Sequence, residues 1–203
     1  KIIGNIYYYN FKFTNKKESL TIFLFHEVTN KPSEFQKKHK IFHTVDEFEK
    51  IIKWIKNNYN IVSPNEIFDN QKSKALITFD DGYYGSFKNG IPILNSLNIP
   101  SIHFLNCRPI IKHQPNIVST IDYLCTHSTE FKKFIIERSN IRSCDFYQIT
   151  PKIFKLFSEN NKIITTDIQD CQGKIVTEED LNNQQNNKLV FFGNHFYDHW
   201  NIL

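Results

Sequence analysis

The stretch Ala75-Leu76-Ile77-Thr78-Phe79-Asp80-Asp81-Gly82 decides how this chain folds. Its first five residues are apolar or β-branched and follow the polar Gln71-Lys72-Ser73-Lys74, the pattern of a strand buried on both faces. Two adjacent carboxylates then end the strand, and Gly82, lacking a Cβ, lets the chain turn sharply. Carboxylates at such a strand end sit where α/β barrels keep their chemistry. Successive side chains of an extended strand point to opposite faces, so Asp80 and Asp81 can do different jobs only where the strand breaks into a turn. The plain alternative is an Asp-Asp-Gly turn with two solvated acids.

A second element lies far downstream. Leu189-Val190-Phe191-Phe192 reads as another buried strand, ending in Gly193-Asn194 and followed by His195-Phe196-Tyr197-Asp198-His199. On a helical or tightly turned segment, residues i and i+4 share a face, so His195 and His199 can converge on one ion. A single His-x-x-x-His is common, and two surface histidines are the plainer account. Carboxylates at one strand end and paired imidazoles at another make a metal site the stronger reading. Two His and one Asp would leave coordination positions open for water and substrate.

The intervening pattern is layered. Strands are expected near 20–26, 60–63, 75–79, 101–106 and 188–193. Thr44-Val45-Asp46-Glu47 is a capping box, and Phe48, Ile51, Ile52 and Ile55 follow on one apolar stripe, which predicts a helix covering a sheet. Ser63-Pro64 opens a short helix. Strands alternating with helices imply an α/β fold with a parallel sheet. Residues 1–19 read as a lead segment and 20–203 as one domain. An insertion at about 109–175 holds two predicted helices, one around Phe131, Phe134 and Ile135, the other after Thr150-Pro151. It is expected to act as a lid or flank, or simply to pack.

Thr78-Phe79-Asp80-Asp81-Gly82 followed by Tyr83, together with Gly193-Asn194-His195-x-x-x-His199, resembles the polysaccharide deacetylase family, also known as the NodB homology domain or carbohydrate esterase family 4. Leu24-Phe25-His26-Glu27-Val28 is similar to that family's first strand, with Phe25 in place of a Tyr. Ile91 to Leu94 and Asn98 to Phe104 are similar to its next helix and strand. The resemblance implies a distorted (β/α) barrel that hydrolyses the N-acetyl or other acyl amide of an amino-sugar glycan. It makes Asp80 the general base and Asp81, His195 and His199 the ligands of a divalent metal that activates water. Zinc is the default ion, and cobalt or nickel would suit the same ligands. His26 and Tyr83 are additional candidates, His26 at the mouth and Tyr83 through its backbone N–H at the oxyanion.

The chain departs from the family pattern in two ways. Phe196 stands where Ser or Thr is usual, so support for His195 is expected from Asn194 or Asp198. The family's later motifs, including an Arg-containing segment and the His that protonates the leaving amine, find no counterpart. Five strands do not close a barrel of about eight, so an incomplete barrel is expected, with its C-terminal part missing and the chain the N-terminal part of a longer protein.

Composition bounds the remaining readings. At 40% hydrophobic and 15% aromatic residues, including 19 Phe, the 203 residues can bury a core, which excludes disorder. A net charge of +4 with scattered lysine pairs gives no nucleic-acid footprint and is compatible with an anionic glycan. No apolar run approaches a membrane span. Cys107, Cys125, Cys144 and Cys171 lack metal-type spacing; free thiols are the favoured reading over pairing, and the compartment stays open between envelope or secreted and cytoplasmic. Two other functions compete. One is a non-catalytic glycan-binding or scaffold protein that keeps the metal site. The other is a non-haem iron oxygenase, which would leave the second Asp of the pair without a role.

Overall fold

A computed structural model of the chain describes residues 19–68, 74–139 and 148–198. The chain runs through β1 (Leu20–Phe25), β2 (Glu27–Val28), α1 (Glu34–His39), β3 (Phe42–His43), α2 (Val45–Asn58) and β4 (Asn60–Ile61). It continues through β5 (Lys74–Phe79), α3 (Ile91–Ser96) and β6 (Ser101–Leu105). Six helices follow, α4 (Cys107–Lys112), α5 (Ile117–His127), α6 (Thr129–Ser139), α7 (Pro151–Asn160), α8 (Thr165–Gln172) and α9 (Glu178–Asn182), before β7 (Val190–Asn194).

Every residue of β5 is buried, as its unbroken apolar run requires, and the strand lies inside a parallel sheet. One edge of β5 pairs with β1 along its whole length, from Leu20↔Lys74 to Phe25↔Phe79. Its other edge meets β4 at Lys74 and Ala75, and β6 at Thr78 and Phe79. Strand β7 pairs with β6 from Ser101↔Val190 to Leu105↔Asn194. All these pairings are parallel, so β1, β5, β6 and β7 deliver their C-terminal ends to one side of the sheet. Among the described residues no pairing joins β1 to β7, and the sheet is open.

Helix α2 begins at the Thr44 capping box and buries Phe48, Ile52 and Ile55 against Phe25, Ile77 and Phe79. Each such side chain contributes roughly 1.5–3 kcal/mol of burial. The strand expected over 60–63 is shorter in the structure. After Ile61 the backbone makes one more sheet bond, from Val62 N to Ala75 O, and then turns at Ser63-Pro64, because proline has no N–H for a ladder.

Between β6 and β7 there is more helix than the two predicted segments. Helices α5, α6 and α7 share an apolar cluster that includes Ile117, Ile121, Leu124, Phe131, Ile135 and Phe157. This cluster is separate from the one beneath the sheet, so the inserted helices carry a core of their own. No helix among the described residues is long and apolar enough to cross a membrane. Residues 1–18, Cys144 and His199 lie outside the described residues.

Candidate active site

The site is assembled where three strands end. Asp80 N donates to Phe25 O at 3.0 Å, extending the β1–β5 ladder one residue past the strand. The chain then turns abruptly: Asp81 has φ 70° and Gly82 φ 72°, both left-handed. A side chain at 82 would meet Leu105 Cδ2 at 3.0 Å, so glycine is needed there for both conformation and space. The reversal carries the Asp81 carboxylate away from the strand direction followed by Asp80, and buries it.

Strand β6 supplies the next group. Asn106, the residue after its last, is fully buried, and its Nδ2 donates to Asp81 Oδ1 at 2.9 Å. Asn106 Oδ1 has no partner among the described residues. Strand β7 supplies the third group. His195 N donates to Leu105 O at 3.0 Å, which continues the β6–β7 ladder, and its imidazole Nε2 lies 3.6 Å from Asp81 Oδ1 and 3.8 Å from Asp80 Oδ2. These separations exceed a hydrogen bond but suit two donors of one ion. Ligands bound at about 2.0–2.1 Å to a tetrahedral zinc stand roughly 3.3 Å apart. One imidazole nitrogen and two carboxylates are also the donor chemistry of a divalent transition metal. Among the described residues no group of three or more His, Cys, Asp or Glu side chains is placed to hold a metal ion. The remaining sequence candidate, His199, lies outside the described residues.

The loop bearing His195 is held from the starts of α4 and α5. Phe196 has φ 65°, and the carbonyls of Phe196 and Tyr197 accept from Cys107 N at 3.4 Å and Arg108 N at 2.8 Å, at the start of α4. Asp198 accepts from the Arg108 guanidinium and, at 3.0 Å, from Ile117 N at the first turn of α5. Arg108 Nη2 also donates to Gln114 Oε1 at 3.1 Å. Of the two residues expected to support the loop, Asp198 therefore makes these anchoring bonds, while Asn194 is an exposed residue of β7.

His26 follows Phe25, whose register partner is Phe79, so His26 and Asp80 leave adjacent parallel strands side by side. His26 is half-buried; burial holds the imidazole of His43 below the usual histidine range, with Glu47 opposing and the charge of His26 adding to that effect. Tyr83 is fully buried beneath the turn, and its hydroxyl has no partner among the described residues. Burial, reinforced by the charges of Asp81, Glu27 and Cys171, pushes that phenol well above its ordinary pKa, so its side chain stays neutral.

Sequence reasoning missed Asn106, Arg108 and Glu27 as parts of this neighbourhood. Asn106 carried a usable signal, since it stands one residue past an apolar strand, as Asp80 does. The other two depend on contacts made only by the folded chain.

No model of a known protein family matches the chain, and no curated protein matches it. Solved structures give similarities. A de-N-acetylase from Aggregatibacter actinomycetemcomitans is 17% identical, with 87% of this chain and 54% of that one covered at a TM-score of 0.49. The BpsB deacetylase domain from Bordetella bronchiseptica is 15% identical, with 87% and 54% covered at a TM-score of 0.43. IcaB from Ammonifex degensii is 19% identical, with 47% and 42% covered at a TM-score of 0.41. The chain spans about half the length of these structures.

Proposed function

We propose that this chain is a metal-dependent deacylase that hydrolyses the N-acetyl, or a related N-acyl, amide of an amino-sugar glycan. One observation carries the proposal: His195 Nε2 stands 3.6 and 3.8 Å from the carboxylates of Asp81 and Asp80, although 114 positions of sequence separate Asp81 from His195. A solvated Asp-Asp-Gly turn has no need of an imidazole brought to it by a separate strand. On this reading the open parallel sheet is one wall of a distorted (β/α) barrel.

Asp81, His195 and His199 would hold the ion, zinc by default and cobalt or nickel on the same donors. When bound, it supplies a Lewis acid that lowers the pKa of a water and polarises the acyl carbonyl. Asn106 serves the site by fixing Asp81 Oδ1 through its amide, so that this carboxylate keeps one orientation. Asp80 takes the proton from the attacking water, a role for which its position beside the cluster suits it. The Tyr83 backbone N–H faces the developing oxyanion in this scheme. As the C–N bond breaks the leaving amine needs a proton, and His26, which leaves β1 beside Asp80 at the same end of the sheet, is the candidate donor. The products are a carboxylate and a free amino sugar.

The test is release of acetate or formate from N-acylated glucosamine oligomers by protein stripped with chelator and reloaded with zinc, cobalt or nickel. Metal-restored release that Asp80→Asn abolishes is the expected result. A chain that takes up none of the three ions, or releases no acid from any glycan of a broad panel, overturns the reading.

A further inference from the structure

Beside the candidate site lies a cavity of about 580 Å³, within the size range of small-ligand sites. Its walls come mainly from residues 27–36, which run from β2 into α1, residues 84–89, which follow the Asp81 turn, and residues 170–174 at the end of α8. Tyr84 comes three residues after Asp81, so the Cα atoms of the two lie within about 11 Å of each other. The cavity is thus a neighbour of the Asp80 and Asp81 carboxylates and shares the turn that carries them.

Its rim is positive. Lys31, Lys88 and Lys174 line it and are exposed, and none of them forms an ion pair among the described residues. Two of these ammonium groups converge on one ring: Lys174 Nζ stands 3.5 Å and Lys88 Nζ 5.8 Å from the centre of Tyr84. Lys174 is held at its other end too, because its carbonyl accepts from Tyr84 N at 2.9 Å. Like charges gathered round one ring repel, and each contact with the π face offsets only about 0.5–2 kcal/mol of that.

The two acids in the wall do not neutralise the lysines. Asp170 is exposed and pairs with none of the three among the described residues. Glu27 is 5% exposed and accepts from neutral donors, Val28 N at 2.8 Å and Gln36 Nε2 at 3.3 Å. Burial raises its pKa from 4.5 to about 7, so near neutrality it carries only part of a charge. A concave place with an excess of positive charge draws in anions.

The walls are fixed without a ligand. Asn89 Nδ2 donates to Val28 O at 2.7 Å, and Val45 N donates to Asn30 Oδ1 at 3.1 Å. Gly173, at φ 93°, lets the end of α8 come so near α1 that a Cβ there would lie 2.6 Å from Gln36 Nε2. Such preorganisation lowers the entropic cost of binding. The Thr29 hydroxyl and the Asn30 amide also line the cavity and suit the hydroxyls of a sugar.

We infer that this cavity is a subsite for an anionic group, a carboxylate or a phosphate, on the saccharide unit adjoining the one whose amide meets Asp80 and Asp81. Lys31, Lys88 and Lys174 bind that anion and select acidic amino-sugar glycans over neutral ones. The role as a glycan subsite rests on the deacylase reading, whereas anion binding by the three lysines does not.

The experiment is calorimetric titration of the whole chain stripped with chelator, which needs neither metal nor turnover. Three probes are compared: a tetrasaccharide alternating N-acetylglucosamine with glucuronate, the neutral tetramer of N-acetylglucosamine, and N-acetylglucosamine 1-phosphate. At least one anionic probe should bind about tenfold or more tightly than the neutral tetramer, an advantage that shrinks as salt is raised. Lys88→Gln and Lys174→Gln should each cut that preference about fivefold, and the double variant should abolish it, with melting temperatures within about 2 °C because both side chains are exposed. A preference for the tetrasaccharide alone identifies the anion as a carboxylate, and one for the sugar phosphate alone identifies a phosphate. No preference in the wild type, or a preference that survives in the double variant, overturns the subsite. In metal-loaded protein the double variant should raise KM for the preferred probe about tenfold with kcat within about twofold, the signature of lost ground-state binding. Lysine-dependent binding without acetate release from any probe keeps the anion site and defeats the deacylase reading separately.

Discussion

Glu27 makes the stability of this protein depend on pH in a direction that ordinary carboxylates do not. Burial lifts its pKa from 4.5 to about 7, against the lowering effect of the amides of Val28, Gln36, Gly85 and Ser86. A carboxyl whose folded pKa exceeds its unfolded value holds its proton more tightly in the folded chain. Its contribution is therefore full below about pH 4.5 and is lost as pH rises through about 7. The whole span is worth about 3 kcal/mol, of which roughly 2.5 kcal/mol falls between about pH 5 and pH 9. Glutamine carries no charge at any pH, so the Glu27→Gln variant lacks this dependence. Urea unfolding of both proteins followed by circular dichroism, at intervals across that range, isolates the effect as a difference. The variant should gain on the wild type by about 2.5 kcal/mol as pH rises, or about 5–10 °C in melting temperature for a chain of this size. Parallel stability curves would refute the argument, because they would mean that Glu27 meets water in both states.

The remaining predictions concern the site. His195→Ala, His199→Ala or Asp81→Ala should weaken zinc binding by at least about a hundredfold in calorimetric titration of chelator-stripped protein; undiminished affinity in any of them removes that residue from the ligand set. Asp80→Asn should retain the ion and lose about a hundredfold or more in kcat, and surviving turnover would assign the base to another group. Arg108→Ala should leave the Asp198 carboxylate without its guanidinium and cost about 1–3 kcal/mol in denaturant unfolding, with zinc affinity down about tenfold because the loop bearing His195 is loosened. Stability lost with affinity untouched would show that the Arg108–Asp198 pair holds the inserted helices and not the site.

Much of the framework was legible because it is encoded locally. Strand β5 is buried along its whole length, so the unbroken run from Ala75 to Phe79 identified it without any partner in view. The Thr44 capping box and the Phe48 stripe fixed α2 in the same way. What escaped is encoded by distance. Strands β2 and β3 have two residues each, too few for any period to show, and they exist because Glu27 and Val28 pair with Phe42 and His43. Helix α5 hid because Ser119, Thr120 and Asp122 interrupt its apolar positions, and these polar residues are themselves buried and bonded: Ser119 and Thr120 to Asn116, Asp122 to Lys38. The insertion at about 109–175 is expected as a lid or flank, or simply to pack; in the structure the start of α4, just before it, holds the Phe196–Tyr197 backbone, and the start of α5, within it, holds the Asp198 side chain.

The division of labour proposed for Asp80 and Asp81 rests on one pair of dihedral angles. An extended strand would have sent these carboxylates to opposite faces of the sheet. Asp80 instead stays on the β1 ladder through its N–H, while Asp81 takes φ 70° and swings its carboxylate to Asn106. Left-handed backbone is unfavourable for most residues, and aspartate tolerates it better than almost any other that could serve as a metal ligand. The order of the motif then has a physical reason. The residue that must turn is the second acid, the residue after it must be glycine to continue the reversal at φ 72°, and the first acid remains on the strand, close to the imidazole without sharing the buried position of its neighbour. Under the proposed roles, exchanging the two acids would put the buried ligand on the ladder and the proton acceptor in the turn, away from the Asn106 amide that holds Asp81 Oδ1.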